Sequence, residues 1–279
     1  MQNTNLDNTI TSKCKLAFIG AGAMGSAIAK GLVHNKTFMA SEIIFCDLDE
    51  KRLDTIANEL QVQTTNCYDR LKTNLDDNAL IILAVKPQVF EQVLASLQGI
   101  KDSNILISIA AGKTIESIEK VFATNEIFRV MPNTPAQVLK AASAISANTK
   151  ASKTNLEKVK EIFNTIGVCV AVNEKDLDAV TALSGSGPAY VFLMTEAMTQ
   201  AGIELGLDAQ IAETLARQTI YGAASLMIES KESAKALRDK VTSPNGTTQA
   251  GIENLEANDF RTVILNALQA AKTRSLELN

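Results

Sequence analysis

Lys15-Leu-Ala-Phe-Ile-Gly20-Ala-Gly22-Ala-Met-Gly25 sets what the rest of the chain can be. Leu16 to Ile19 is a short apolar run, the three glycines fall at the spacing G-x-G-x-x-G, and Ala23 to Leu32 has helical composition. The pattern is strand, tight turn, helix. A dinucleotide pyrophosphate must come close to backbone N–H groups at a helix N-terminus, and a Cβ at Gly22 would hold it off, while one at Gly25 would push the helix from the strand. The competing reading is a glycine turn that only packs. A motif that follows a strand and opens a helix favours the dinucleotide.

Outward from this motif, strands and helices alternate. Strands are expected over 42–46, 78–85, 104–108 and 126–130, with helices over 50–60, 89–97 and 114–122. Residues 144–147 and 168–172 read as two last strands around a helix over 155–163. Ala79 to Val85 is wholly apolar, as a parallel strand covered on both faces should be, and the alternation implies a Rossmann-type α/β domain with a mostly parallel sheet. Beyond Asp176 the two-residue alternation stops. Helices are expected over 177–183, 189–205, 209–229, 234–240, 249–255 and 260–278, an all-α second domain. The boundaries are a loose tail over 1–13, a dinucleotide-binding domain over 14–172 and a helical domain over 173–279.

Composition limits the function. The chain has 279 residues, 46% of them hydrophobic, enough for two cores, and a net charge of −4 with no basic run argues against nucleic acid or an anionic membrane as partner. The longest apolar run is too short to cross a bilayer, and the polar start lacks a signal peptide's apolar core, so a cytoplasmic enzyme of small metabolites is expected. Cys14, Cys46, Cys67 and Cys169 show no C-x-x-C spacing and read as small buried hydrophobes, without disulfide or structural zinc. His34 is the only histidine and reads as a solvated helix-end residue, which demotes mechanisms built on a histidine base or a metal.

The candidate site residues lie at strand ends. Asp47, after the second strand, stands where this fold places an acid on the adenosine ribose 2′-OH; an N-cap or turn role is the alternative. Arg52 nearby is a rival signal, because an arginine can accommodate a 2′-phosphate. Ala84-Val85-Lys86-Pro87 and Ile109-Ala110-Ala111-Gly112 close two further strands, at the ligand edge of an open α/β sheet, though any βα turn favours such residues. Met131-Pro132-Asn133-Thr134-Pro135 is expected to forbid helix and form a rigid loop. In the second half, hydroxyls in Ser184-Gly-Ser186-Gly-Pro188 are suited to cap a helix that starts at Pro188. That helix, through Val191, Phe192, Leu193 and Met194, is apolar over much of its circumference and so needs a core or another subunit to cover it. Pro244-Asn245-Gly246-Thr247-Thr248 forces a turn before a short helix whose free amides suit a carboxylate, unless it is only a capped loop.

Taken together, Gly20 to Met24, Ala84 to Pro87, Ser108 to Gly112, Met131 to Pro135, Ala182 to Tyr190 and Leu237 to Pro244 occur in an order that resembles the pyrroline-5-carboxylate reductases, over nearly the whole chain from Lys15. The resemblance implies reduction of 1-pyrroline-5-carboxylate to L-proline with NAD(P)H, the last step of proline biosynthesis. It implies cofactor contacts from Ile19, Gly20, Ala21, Gly22, Ala23, Met24, Asp47, Ala84, Val85, Lys86, Pro87, Ile109, Ala110 and Ala111. It places the substrate carboxylate at Asn245, Gly246, Thr247 and Thr248, with Ser186 also at the substrate and the Thr248 hydroxyl near the ring nitrogen. It further implies a homodimer through the helical domain, and rings of dimers.

Three positions depart from the family pattern. Ala23 stands where asparagine is frequent, Asn245 replaces the first glycine of Pro-Gly-Gly, and Asp47 occupies a place where a small or polar residue would suit NADP. Asparagine tolerates positive φ, so the turn can survive. Asp47 tilts the expected cofactor from NADPH toward NADH. The alternatives are a reductase of the same architecture acting on another cyclic imine or a β-hydroxy acid, and a non-catalytic dinucleotide-binding module or vitamin B6-binding regulator. No lysine occurs between Ser184 and Tyr221, where a hydroxyacid dehydrogenase would be expected to carry one, and an intact 243–248 loop argues against a module without chemistry.

Overall fold

The computed structural model describes residues 12–278. The tail expected over 1–13 therefore lies outside the described residues, Ser12 and Lys13 apart. The first part alternates β1 (Cys14–Ile19), α1 (Ala23–His34), β2 (Ile43–Cys46), α2 (Glu50–Leu60), β3 (Gln63–Thr65), α3 (Tyr68–Asn74), β4 (Leu75–Leu83), α4 (Phe90–Ser96), β5 (Ile105–Ser108), α5 (Ile115–Glu119), β6 (Glu126–Met131), β7 (Ala141–Ala147), α6 (Lys153–Asn164) and β8 (Gly167–Ala171). Helices follow: α7 (Leu177–Val180), α8 (Gly187–Glu204), α9 (Ala209–Ser230), α10 (Ala234–Lys240), α11 (Thr247–Ala257) and α12 (Phe260–Glu277).

The eight strands form one sheet in the order β3-β2-β1-β4-β5-β6-β7-β8. Neighbours run parallel except β6 and β7, which are antiparallel. The order reverses between β1 and β4, which opens a crevice beyond the carboxyl ends of those two strands. Side chains alternate across the sheet, so Leu16, Phe18 and Phe45 enter one apolar cluster while Ala17, Ile19 and Ile44 enter the other. Both faces are covered, which is why β2, Leu16 to Ile19 of β1 and Ala79 to Leu83 of β4 read as unbroken apolar runs. The Phe18 and Phe45 rings stack at 4.6 Å and 7°.

Three local expectations are corrected. β3 and α3 had no expected counterpart: Gln63-Thr64-Thr65 is polar yet buried, and Gln63 Nε2 donates to Ser41 O at 2.6 Å. The Met131–Pro135 loop does not exclude helix, because a 3-10 helix runs over Thr134–Val138 with Pro135 in its first turn, where proline's missing N–H is harmless. Neither Ser184 nor Ser186 caps α8: Ser184 Oγ bonds back to Val180 O at 3.1 Å in a π-helical turn over Thr181–Gly185, and Ser186 makes no side-chain cap.

The contacts divide the described chain into two compact units, one reaching Gly185 and including the chain from Ala271, the other Ser186–Ala270. The second unit is short of a core. Between Ser186 and Ala270 only Ala212 and Ala216 are buried, while Phe192, Leu193, Met194, Ile211, Leu215 and Tyr221 are exposed. An apolar groove of about 810 Å³ runs between α8 and α9. A helical unit of this size cannot hold its shape with so little buried surface, so its apolar faces require a partner.

Candidate functional site

The three glycines of the loop meet different demands. Gly20 lies at φ +103°, where L-residues are strained, and a Cβ there would stand 2.5 Å from Ala84 O. A Cβ on Gly25 would come within 3.0 Å of Gly20 O and 3.3 Å of Ala84 Cβ, so this glycine lets α1 lie close on the sheet. Gly22 is the opposite case: it is the N-cap of α1 in extended backbone, and a Cβ there would meet nothing within 4 Å. Open space at a position the fold does not need as glycine fits a ligand that comes against the backbone. No side chain caps α1 and no acid lies in its first turn, so its leading N–H groups and the positive end of its dipole face that space. These features fit a dinucleotide pyrophosphate.

The strand ends bring the other cofactor candidates alongside. Gly20 N donates to Cys46 O at 2.8 Å, Ala84 N to Ile19 O at 2.8 Å and Ile109 N to Leu83 O at 3.2 Å. The glycine loop, the 84–87 turn and the 109–112 turn are thereby adjacent. Ile19, at the end of β1, and Ala110, beyond β5, are buried; Ala23, Lys86 and Ala111 are exposed, and Met24, Ala84, Val85, Pro87 and Ile109 half-buried. Pro87 sits in the first turn of a 3-10 helix, Pro87–Val89, with Lys86 at the position before it and no side-chain cap.

Asp47 shows a bond that spacing could not reveal. Its Oδ2 accepts from Ala21 N at 2.6 Å and its Oδ1 from Asp49 N at 2.9 Å, so the carboxylate ties the glycine loop to the end of β2. Asp49, not Asp47, caps α2, accepting from Lys51 N and Arg52 N. Burial pushes the adjacent Cys46 thiol up to about 12, with Asp47 adding to the shift, so sulfur here is a neutral thiol at ordinary pH. Cys14 and Cys169 are raised to about 12 chiefly by burial as well, as expected of thiols that act as hydrophobes.

A cleft of about 270 Å³ opens beside the loop, lined by Ala21, Ser26, Lys30, Lys51, Arg52 and Thr55 among others. Only Arg52 of its cations was anticipated. Lys51 is found by noting that α2 starts at this edge of the sheet, whereas Lys30 lies two turns into α1 and carries no such signal. Two of the cations are matched locally, Arg52 by Asp49 at 3.2 Å and Lys30 by Glu59 at 2.6 Å. After β6, buried Asn133 donates to Ser184 O and accepts from Ala142 N, each at 2.9 Å, so the Met131–Pro135 segment is pinned from two sides. His34 is an exposed residue at the last position of α1. Among the described residues no group of three or more His, Cys, Asp or Glu could hold a metal ion, and no helix is long and apolar enough to cross a membrane.

The substrate candidates Ser186 and Asn245 to Thr248 belong to the second unit. Asn245 adopts φ 59°, the left-handed conformation asparagine accepts where most residues would strain. Its N–H donates to Gln249 Oε1 at 2.8 Å and Gly246 N donates to Ser243 O at 3.0 Å. A Cβ on Gly246 would fall 2.4 Å from Ser243 Oγ and 3.0 Å from Ser243 O, so this glycine, unlike Gly22, is crowded by its own turn. Gly246 is the N-cap of α11 and no side chain caps that helix. Thr247 and Thr248 form its first turn, with Thr248 half-buried. Ser186 is half-buried at the start of α8.

Comparisons with known proteins cover nearly the whole chain. Residues 174–278 match the family described as pyrroline-5-carboxylate reductase dimerisation, and residues 15–112 match the family described as NADP oxidoreductase coenzyme F420-dependent. A pyrroline-5-carboxylate reductase of Synechocystis sp. is 43% identical over 264 residues, covering 95% of this chain and 98% of that protein. Among solved structures, a pyrroline-5-carboxylate reductase from Coxiella burnetii superposes with a TM-score of 0.88 at 35% identity, covering 96% of this chain and 99% of that one. The Plasmodium falciparum pyrroline carboxylate reductase with NADP bound gives a TM-score of 0.82 at 33% identity, covering 95% and 98%.

Proposed function

The chain belongs to the pyrroline-5-carboxylate reductase family, and on that premise we propose how its own residues reduce 1-pyrroline-5-carboxylate to L-proline with NAD(P)H. It is an NAD(P)H-dependent oxidoreductase of C=N bonds that serves the last step of proline biosynthesis. Cofactor binding falls to residues 14–172, and substrate binding and dimerisation to 173–279. The observation that carries the cofactor half is Gly22, open in its Cβ direction at the uncapped start of α1, beside the point where the strand order reverses. The N–H groups of Ala23 and Met24 would hold the pyrophosphate, and the turns at Ala84–Pro87 and Ile109–Ala111 would hold the rest of the nucleotide.

NAD(P)H supplies the hydride. A protonated cyclic imine is already an electrophile, so the chain's task is to orient it, with no need of a metal or a histidine base. The N–H groups at the start of α11, at Thr247 and Thr248, take the carboxylate, with Asn245 and Gly246 shaping the turn. The Thr248 hydroxyl holds the ring nitrogen, and Ser186 adds a further polar contact. Hydride adds to the ring carbon and the C=N π pair passes to the nitrogen, which already carries its proton, so the product is a secondary amine. The test is 1-pyrroline, the same ring without the carboxylate. Its kcat/KM is expected to fall by about 100-fold, because the helix-end amides lose their partner. Equal turnover of the two imines would remove the 245–248 loop from the substrate site.

NADH is the preferred nucleotide in this account, because the Asp47 carboxylate, held by two backbone N–H groups, keeps negative charge at the ribose edge where a 2′-phosphate would enter. Asp47→Ser is expected to lower the NADH to NADPH ratio of kcat/KM by about tenfold. Both nucleotides should also bind somewhat less well, since serine cannot span both amides. An unchanged ratio would mean that the carboxylate does not face the ribose. The exposed apolar faces of α8 and α9 are covered by a second copy of the chain, and the dimers join into a ring, a state that light scattering on the purified protein distinguishes from a dimer. The reaction takes place in the cytoplasm, where a reducing environment keeps the four free cysteines as thiols.

A further inference from the structure

The last turn of α12 reaches back onto the 109–112 turn. Gly112, at φ +71°, is packed so tightly that a Cβ there would stand 2.7 Å from Leu278 O and 3.2 Å from Leu278 Cβ. Three residues before Leu278, Ser275 Oγ donates to Asp178 Oδ1 at 2.6 Å, and both residues are buried although 97 positions apart. One helical turn before Asp178, Glu174 Oε1 accepts from Ile115 N at 2.7 Å, just beyond the same turn. The contacts therefore close on themselves: the chain from Gly112 to Ile115 is gripped by Leu278 on one side and Glu174 on the other, and the Ser275–Asp178 bond joins the two grips. All of these residues lie in the first unit.

We infer that the C-terminal end of α12 is a positioning element for the cofactor, with Ser275 as the latch that fixes the 109–112 turn against the nucleotide. The inference rests on the reading of Ile109 to Ala111 as cofactor contacts. A buried hydroxyl–carboxylate bond is among the stronger neutral-donor bonds, and a turn without it has more conformations than the one that fits the ligand. The cost then appears as weaker nucleotide binding, not as a change in the chemistry at the imine.

The test is the dissociation constant of NADH, and separately NADPH, measured by nucleotide fluorescence on full-length variants. Ser275→Ala is expected to weaken both nucleotides by about fivefold, and Ser275→Thr, which keeps the hydroxyl, to restore them. KM for 1-pyrroline-5-carboxylate should stay near the wild-type value. A chain ended after Arg274 should match or exceed the alanine effect; if it fails to fold, Ser275→Ala, which removes one oxygen, carries the test alone. A lower melting temperature with unchanged nucleotide affinity would make the bond merely structural and overturn the proposal, as would weakening that threonine does not repair. Ala111→Val separates the two levels. If it binds nucleotide as wild type does, the cofactor reading of the turn fails; if it weakens binding while Ser275→Ala does not, only the latch fails.

Discussion

Thr248→Ala is expected to cut turnover of 1-pyrroline-5-carboxylate by about 10- to 100-fold while leaving NADH affinity within about twofold of wild type. The size follows from the loss of one hydrogen bond to a charged ring nitrogen in a site that works by orientation. Thr248 lies in the second unit, on the first turn of α11, and is not among the residues that shape the glycine loop. The helix should survive, since the hydroxyl does not cap it and alanine is a good helix former. Pre-steady-state rates with a nucleotide-binding titration check both halves. If nucleotide binding were lost in a folded Thr248→Ala protein, the assignment of this residue to substrate would be wrong.

Gly22→Ala should weaken both nucleotides by at least about tenfold and leave the melting temperature unchanged. The argument is one of space. In the protein alone a Cβ at Gly22 touches nothing within 4 Å and the backbone there is one any residue adopts. A methyl group has no cost until the pyrophosphate arrives, and then it separates phosphate from amide. Gly20→Ala provides the contrast: at φ +103° with Ala84 O only 2.5 Å away, it is expected to lose roughly 2–3 kcal/mol of stability before any ligand is considered. Calorimetry on the two variants, with and without nucleotide, separates a glycine kept for the ligand from one kept for the fold. Undiminished affinity in Gly22→Ala would move the pyrophosphate away from α1.

The sheet was legible where burial on both faces forces an apolar run: β2, β5 and β6 lie within one residue of their expected positions, and β1 starts two residues before the apolar run Leu16 to Ile19. β3 escaped because its burial is polar, with Gln63 satisfied by Ser41 O and the strand lying at the sheet edge. The start of β4 at Leu75 was hidden by Asp76-Asp77-Asn78, an irregular passage in which Asn78 takes φ 60°. In the helical half, punctuation carried the pattern: α10 matches its expected bounds, and Pro244-Asn245-Gly246 ends where α11 begins. The excess of apolar surface on α8 was also visible, since a helix apolar around most of its circumference must be covered by something.

The candidate site was legible where a tight turn, close packing or open space for a ligand calls for glycine. Gly20, Gly22 and Gly25 are spaced by the geometry of one turn, so a local pattern reports them. Contacts between distant parts of the chain leave no such trace. Asp47 meets Ala21 N across 26 positions, and Asp178 meets Ser275 across 97, and in each case the residue alone reads as an ordinary turn or helix polar group. The serines of Ser184-Gly-Ser186 show the reverse hazard. Their composition suggests a cap, yet the π-helical turn before α8 gives the Ser184 hydroxyl a carbonyl to bond instead.

The initial rate of NADH oxidation, and separately of NADPH oxidation, by the purified full-length chain with 1-pyrroline-5-carboxylate present tests substrate and cofactor together. The expected result is nucleotide oxidation that begins only on addition of the imine, forms L-proline in equal amount, and runs faster with NADH. Faster oxidation of NADPH would keep the imine reduction and discard the ribose role of Asp47. No imine-dependent oxidation of either nucleotide would contradict the account.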